Sequence, residues 1–315
     1  MNDTLLDSIS CISREESEIL SGRREIDRDI YMEKPNVVDA KKLLESGKLI
    51  SVRTHTRFIH FPPHRHNYIE AVYMCSGQTT HIINGDEVAL KAGELLFLSR
   101  GSVQEIMPAA RNDVAINFII LPEFFEKVLF MVGREDTPLC RFITDCVKRD
   151  GGQSGYLHFK VADVLPVQNL VENLIWTIVN DLPNKRSINQ ATMALLMLQL
   201  MNNSEKIAYT DDSEKAVFCA LQYIEENYRS GSLQDLARKN HRDFTWYSRE
   251  LKRRTGKNYT ELVRQKRLSQ ACYLLKNTKM SVADISNCVG YENTSYFHKI
   301  FYNEFKLTPH MYRKK

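Results

Sequence analysis

The sequence lacks the features that would place a protein outside the cell or in a membrane. Its longest apolar stretches, residues 115–121 and 191–201, are well short of the roughly 20 residues that a membrane-spanning helix needs. The N-terminal segment has neither the basic start nor the apolar centre of a secretory signal. The 7 cysteines include no Cys-x-x-Cys pair, which argues against a zinc site or a disulfide framework. We therefore expect a cytoplasmic protein with no membrane partner.

Positive charge is concentrated in the C-terminal third of the chain. The net charge is +4 over 315 residues, but residues 211–315 contain 20 Lys and Arg against 12 Asp and Glu, so they carry +8 and the rest carries −4. Such a segment is typical of a domain that binds a polyanion, although a solvated basic face would look the same. The chain is also too long for one ordinary core, so we expect at least two domains.

The spacing of apolar residues divides the chain into five segments and predicts the α+β fold class. Short strands and frequent turn signals are followed by helical periodicity, with one polar stretch between two helical parts. The predicted segments are a leader of uncertain order (1–48), a small all-β unit (49–121), a helical region (122–203), a linker (204–213) and a helical domain (214–315).

Local patterns add detail to two of these segments. Asn84-Gly85 predicts a β-hairpin, because both residues tolerate the positive φ of a type I′ turn. Residues 161–179 and 187–201 each carry an apolar stripe at helical spacing. These two helices can bury their stripes on each other, on the β unit or on a second subunit, so a homodimer is one expected assembly.

Residues 232–256 predict a helix-turn-helix, and the same plan returns at residues 281–305. In both units a serine, Ser232 or Ser281, precedes the first helix as a candidate N-cap. Gly256 ends the first unit, and Gly290 lies at a turn that needs a residue without Cβ. The helix between the units can set their distance, and two recognition helices in successive major grooves must lie about 34 Å apart.

Six motifs in this region resemble the AraC/XylS family of transcription regulators. They are Leu-x-x-Leu-Ala from Leu233, Thr255-Gly256, RQKRLSQACYLL from Arg264, SVADIS-x-x-VGY from Ser281, SYFHKIF from Ser295 and LTPHMYR from Leu307. The resemblance implies a seven-helix domain that binds double-stranded DNA through two helix-turn-helix units. It places the base-reading positions on Thr245, Ser248, Arg249, Thr294, Ser295, His298 and Lys299. The sequence departs from the family at Arg242 and Glu250, where apolar residues are usual.

The spacing of these residues agrees with a DNA-reading role. Thr245, Ser248 and Arg249 share one helical face, and an arginine there can bind guanine through two hydrogen bonds. Basic residues at the end of this helix are candidates for phosphate contacts, which position a protein without reading sequence. The predicted phosphate-binding residues are Lys252, Arg253, Arg254 and Lys257, and for each of them a solvated side chain is the alternative.

The β unit contains a candidate pocket. His64, His66 and Glu70 have the spacing of the first motif of cupins, which are jelly-roll barrels, and two histidines with a carboxylate can bind a divalent metal. In the second motif Ser99 replaces the usual proline, and Gln104 stands where the fourth ligand histidine is expected. We therefore predict no metal or other cofactor. His64, His66, Glu70 and Gln104 are instead candidates for binding a small effector, or they have a structural role.

These observations predict a transcription regulator without enzymatic activity, which has a cupin-like effector barrel before its DNA-binding domain. The resemblance implies that the effector is a sugar or a related metabolite, and that activation, with RNA polymerase as a partner, is favoured over repression. Two alternatives stay open. One is a metal-dependent cupin enzyme fused to a DNA-binding module, and the other is a DNA-bound interaction protein whose β unit is a scaffold.

Overall fold

The chain divides into two compact units, Met1–Ala208 and Tyr209–Lys315. The computed structural model describes residues 1–133, 137–147, 155–208 and 212–314, without the side chains of residues 138, 141, 212–215 and 254. None of the helices in these ranges is long and apolar enough to cross a membrane.

The first unit is built on two six-stranded sheets, with strand orders β1-β2-β4-β9-β6-β7 and β12-β11-β8-β5-β10-β3 among the described residues. The strands are β1 (Met32–Lys34), β2 (Val37–Val38), β3 (Ile50–Thr54), β4 (Phe61–His66), β5 (Ile69–Ser76), β6 (Gln78–Ile83), β7 (Asp86–Lys91), β8 (Leu95–Leu98), β9 (Gln104–Ile106), β10 (Val114–Ile120), β11 (Tyr156–Phe159) and β12 (Ile207–Ala208). Strands β3 to β10 fall within the segment predicted as all-β.

Turn chemistry and alternation explain the strands of this unit. Asn84 and Gly85 have φ of +54° and +97° and join β6 to β7 in full register, which confirms the predicted hairpin. In β4 the buried residues are Phe61, His64 and His66, so the two histidines point to the interior of the unit.

Helices cover the sheets of the first unit. They are α1 (Asp3–Ser10), α2 (Arg14–Leu20), α3 (Arg28–Tyr31), α4 (Ala40–Leu43), α5 (Pro122–Val132), α6 (Pro138–Val147), α7 (Leu165–Val179) and α8 (Lys185–Asn202). The long helices α7 and α8 correspond to the two predicted amphipathic helices, and they pack against each other.

The N-terminal 48 residues, which the sequence analysis described as a leader of uncertain order, are part of the first unit. β2 pairs in parallel with β4, so this segment extends one of the sheets. Glu16 of α2 is 1% exposed and forms a buried ion pair with Arg57, which joins α2 to the β unit. Short helical patterns carry no information on such long-range contacts, and this is why the sequence left the order of the segment open.

The region after β10 also contains structure that the helical periodicity did not predict. β11 pairs with β8 along the edge of the second sheet, and β12 pairs with β11. β12 lies within the segment predicted as a linker, and the boundary between the two units follows it directly, at residue 209. Residues 209–211 of that linker lie outside the described residues.

The second unit contains seven helices in its described part. They are α9 (Asp212–Asn227), α10 (Leu233–Lys239), α11 (Phe244–Thr255), α12 (Tyr259–Asn277), α13 (Val282–Cys288), α14 (Thr294–Phe305) and α15 (Pro309–Lys314). α10 and α11 form the first helix-turn-helix, and α13 and α14 form the second. Each pair has its own apolar cluster, and α12 contributes to both clusters.

The ends of these helices agree with the sequence analysis. Ser232 and Ser281 accept hydrogen bonds from the third residue of α10 and α13, so both predicted N-caps are confirmed. Gly256 ends α11 in the left-handed conformation. Gly290 has φ of +92°, and a Cβ there would lie 2.7 Å from the Arg229 carbonyl oxygen, so the turn requires glycine.

Candidate functional site

A small cavity lies between the two sheets of the first unit. It has a volume of about 40 Å³, which is room for a few water molecules. Both sheets contribute to its walls, which combine aromatic rings with polar side chains. The lining residues are Tyr31, Val38, Leu43, Arg53, Thr54, His55, Thr56, Phe61, His64, His66, Tyr68, Glu70, Ile106, Asn117 and Ile119.

Three of the four residues predicted for an effector pocket line this cavity. The rings of His64 and His66 lie 4.9 Å apart, and His66 Nε2 is 3.6 Å from Glu70 Oε2. Gln104 faces His64 across the β4–β9 pair and is fully buried beside the cavity, where its amide hydrogen-bonds His81 at 3.0 Å. The structure therefore brings the four residues into one polar cluster.

The cluster contains further residues that the sequence analysis missed. His55 follows β3, and its ring lies 5.8 Å from that of His81. Asn117 of β10 donates a hydrogen bond to Glu70 Oε1 at 3.1 Å. His81 shares the buried face of β6 with Thr79 and Ile83, and this two-residue alternation is a signal that could have identified it. His55 lies outside a strand, so no periodicity marked it.

Burial keeps these ionisable groups uncharged near neutral pH. It lowers the pKa of His55 and of His64 to about 4. The pKa of His66 is also well below its ordinary value, chiefly because of burial and then because of its neighbour His64. Burial raises the pKa of Glu70 to about 8, although the hydrogen bond from Asn117 opposes this shift. The walls of the cavity are therefore polar but mostly neutral.

Several polar atoms of the cluster have no hydrogen-bond partner among the described residues. They are His55 Nε2, His66 Nδ1, Glu70 Oε2, Gln104 Oε1 and Asn117 Oδ1. Buried polar atoms are nearly always hydrogen-bonded, so this number of open positions in one place indicates a site whose partners are water or a ligand. In the part of the chain that is described, no three His, Cys, Asp or Glu side chains are placed to hold a metal ion.

One wall of the cavity is connected to the N-terminal helices. Arg53 and Tyr31 line the cavity, and both contact Glu15 of α2. Glu15 Oε2 accepts hydrogen bonds from Arg53 Nη2 at 2.9 Å and from the Tyr31 hydroxyl at 2.5 Å. The Arg53 guanidinium also lies 4.5 Å from the centre of the Tyr31 ring. Arg53 and Glu15 therefore form an ion pair at this wall.

A second candidate site is the exposed face of the two recognition helices, α11 and α14. On α11 the Thr245 and Arg249 side chains are exposed and Ser248 is half-buried, while Tyr247 and Leu251 face the core. The predicted base-reading residues of this helix therefore lie on its accessible side.

The second recognition helix has the same arrangement. Ser295, His298 and Lys299 of α14 are exposed and Thr294 is half-buried. The opposite face is buried through Phe297, Ile300 and Phe301. Both helices present short polar residues at their N-terminal ends and a basic residue one turn later, which suits hydrogen bonding to base edges.

The residues predicted to bind phosphate differ in their surroundings. Lys252 is exposed. Arg253 forms an ion pair with Glu250 at 2.6 Å, and Lys257 donates to the side chain of Gln265 at 2.6 Å. Arg254 belongs to α11, but its side chain lies outside the described residues.

The two positions that depart from the family are accommodated by electrostatic contacts. Arg242 lies over the Trp246 ring at 5.1 Å. Glu250 pairs with Arg253, whereas the seventh residue of α14, Ile300, is buried at the equivalent position. The first helix-turn-helix, α10 and α11, therefore keeps its geometry with a different set of contacts.

Comparison with known proteins identifies both units. Residues 236–315 match the family described as "Helix-turn-helix domain", and residues 49–125 match "AraC-like ligand binding domain". Among curated relatives, the HTH-type transcriptional activator RhaR of Mannheimia succiniciproducens is 25% identical over 261 residues, which is 81% of this chain and 88% of the relative. RhaR of Escherichia coli is 22% identical over 264 residues, which is 80% of this chain and 87% of the relative.

Solved structures of similar chains include apo ToxT from Vibrio cholerae, which is 14% identical and has a TM-score of 0.38. That match covers 86% of this chain and 99% of ToxT. The C-terminal domain of AraT from Geobacillus stearothermophilus is 25% identical, with a TM-score of 0.31. It covers 33% of this chain and 88% of that domain.

Proposed function

Because the chain belongs to the AraC family of transcription regulators, we propose that it activates transcription in response to a small molecule bound in the cavity of its first unit. The single observation that carries this proposal is the pairing, in one chain, of a polar interior cavity with two exposed recognition helices. Activation is favoured because the curated relatives are named transcriptional activators, and RNA polymerase is then a partner.

The DNA-binding part of the proposal assigns base contacts to α11 and α14. Arg249 and Lys299 occupy the same position in the two helices, the sixth residue of each, and both side chains are exposed. Thr245 and Ser248, with Thr294, Ser295 and His298, surround them and complete the two reading faces. Lys252, Arg253, Arg254 and Lys257 supply positive charge beside the first face for phosphate contacts.

Binding to DNA fragments at several salt concentrations tests this assignment. Arg249→Ala should lose about 1–3 kcal/mol of discrimination between the preferred fragment and a scrambled one, because a bidentate guanine contact is removed. Lys299→Ala should lose discrimination at the base pairs that α14 contacts. Lys127→Ala, which removes an exposed charge from α5 in the first unit, is the matched control and should change neither selectivity nor affinity. Equal selectivity in all the variants would contradict the assignment.

For the effector we propose an uncharged, polyhydroxylated molecule such as a monosaccharide. The cavity offers neutral donors and acceptors from His64, His66 and Glu70, with Gln104 buried beside them, and several of these atoms lack partners. Its aromatic rings suit the apolar faces of a sugar ring. At about 40 Å³ the cavity is smaller than a typical ligand pocket of roughly 300 Å³ or more, so binding requires its walls to move apart.

That movement supplies a physical basis for regulation. A ligand shifts a conformational equilibrium only if it binds one state better than the other. The cavity at its present small volume and a widened, ligand-filled cavity are two such states of the first unit. The protein acts without catalysis in this proposal, and it acts in the cytoplasm, where its DNA is.

We also propose that two copies of the chain associate through α8. Ile188 and Leu195 are 37% and 53% exposed, and they lie on one helical face with exposed Ala191 and half-buried Leu198. Trp176 of the neighbouring helix α7 is 44% exposed. An exposed apolar stripe of this kind is typical of a surface that another protein covers.

A further inference from the structure

We propose that Glu15, which lies outside the cavity, sets the charge preference of the effector site by neutralising Arg53. The inference rests on the proposed effector function of the cavity. Glu15 is a positioning residue, because it acts through Arg53 and Tyr31, the two side chains that it holds at the cavity wall.

Arg53 is the one lysine or arginine among the described residues that line the cavity. Its guanidinium is fixed by three contacts, which are the hydrogen bonds to Glu15 and to the Tyr31 hydroxyl and the stacking on the Tyr31 ring. Glu15 itself is 5% exposed, and its Oε1 also accepts the Asp27 amide. The carboxylate is therefore held in place as a built-in counter-charge.

This ion pair makes the wall polar without making it cationic. A neutral hydroxyl can accept from Arg53 without disturbing the pair. An anionic group that approaches Arg53 meets a guanidinium whose charge is already balanced, and it is repelled by the buried carboxylate behind it. Glu15 thus selects against acidic ligands although it does not touch them.

Glu15→Gln isolates the charge from the shape. Glutamine has the size of glutamate and its carbonyl can still accept from Arg53 and Tyr31, but it carries no charge. Arg53 then presents an unbalanced positive charge to the cavity, and a ligand carboxylate gains a charge-assisted hydrogen bond there. The variant should accept acidic ligands that the wild-type protein rejects.

The adjacent residue provides a matched control. Glu16 lies on the same helix, is 1% exposed, and accepts from Arg57 Nε at 2.7 Å and from Arg57 Nη2 at 3.0 Å. Arg57 is not among the described residues that line the cavity. Glu16→Gln therefore removes a similarly buried charge from α2, but neither Glu16 nor its partner Arg57 lines the cavity.

The test is calorimetric titration of the full-length protein with matched probes. Glucose and galactose are each paired with the uronic acid of the same ring, so the members of a pair differ by one carboxylate. We expect the wild-type protein to prefer the neutral member. In Glu15→Gln the ratio of the two affinities should move toward the uronic acid by about tenfold or more, the effect of one hydrogen bond to a charged group. Glu16→Gln should leave the ratio unchanged, even if it lowers stability.

A second variant keeps the test decisive if Glu15→Gln does not fold. Arg53→Gln leaves the Glu15 charge unbalanced, so it should move the ratio in the opposite direction, further toward the neutral sugar. If the ratio of the two affinities is unchanged in both variants, or if the affinity for both ligands falls equally, the role of Glu15 is overturned and the proposed function is left intact. If the wild-type protein binds no member of either pair, the proposed effector class is wrong, and the inference falls with it.

Discussion

Replacing Gly290 with alanine should destabilise the second helix-turn-helix unit by about 2.5–5 kcal/mol. Part of the loss is backbone strain, since Gly290 has φ of +92° and a left-handed conformation costs about 1–2 kcal/mol in other residues. The rest is a steric clash, because the new Cβ would lie 2.7 Å from the Arg229 oxygen and 3.0 Å from its Cα. That oxygen accepts a hydrogen bond from Arg267 at 2.8 Å, and displacing it loses about 1.5–3 kcal/mol.

Gly256→Ala separates these two contributions. Gly256 also has a positive φ, +72°, but nothing lies within 4 Å of the position that a Cβ would take. The variant should therefore show the strain alone, about 1–2 kcal/mol. The difference between the two variants measures the clash with the Arg229 backbone.

Native-state hydrogen exchange, read by mass spectrometry on peptides from the two helix-turn-helix units, gives the opening free energy of each unit separately. Gly290→Ala should lower protection in α13 and α14 more than Gly256→Ala lowers it in α11. Equal losses, or a larger loss in Gly256→Ala, would refute the argument that close packing on Arg229 fixes the glycine.

Three further predictions concern other parts of the chain. Between pH 6.5, the ordinary pKa of histidine, and pH 8, the free energy of unfolding should fall as the pH rises. In this range folded Glu70 keeps a proton that the same residue has already released in the unfolded chain. Urea denaturation at several pH values should show that Glu70→Gln reduces this dependence of the unfolding free energy on pH, by up to roughly 1.4 kcal/mol per pH unit. An unchanged dependence would show that Glu70 is ionised in the folded protein. Asn293→Ala removes the N-cap hydrogen bond to the Tyr296 amide and should cost about 1 kcal/mol of stability. Leu195→Lys should produce monomers in sedimentation experiments, whereas Phe130→Lys, an 87% exposed control outside the α8 stripe, should not.

Local chemistry made the DNA-binding unit predictable from sequence. Ser232 and Ser281 cap their helices, and Gly256 ends α11 as expected. These features depend on residues close in the chain, so one sequence is sufficient to recognise them. The internal repeat adds a second copy of each signal. The exposed reading faces follow from helical periodicity once the helices are placed.

The candidate cavity was predictable only in part. His64 and His66 alternate on one strand, so their shared direction follows from β geometry. His55 and Asn117 join them through pairing between strands that are distant in sequence, and no local pattern records such pairing. The link from Glu15 to Arg53 spans 38 residues and depends on how α2 packs, which a short helical pattern does not determine.

The two helix-turn-helix units share one plan and both have an apolar core, but they differ in the contacts around it, because Glu250 pairs with Arg253 where Ile300 is buried and Arg242 stacks on Trp246. Ion pairs weaken as salt screens them, whereas apolar burial does not. Salt should therefore weaken the polar contacts of the first helix-turn-helix by no more than about 1 kcal/mol, the usual upper value for an exposed ion pair, and leave the second nearly unchanged. A rise in ionic strength thus makes the first helix-turn-helix slightly easier to open than the second.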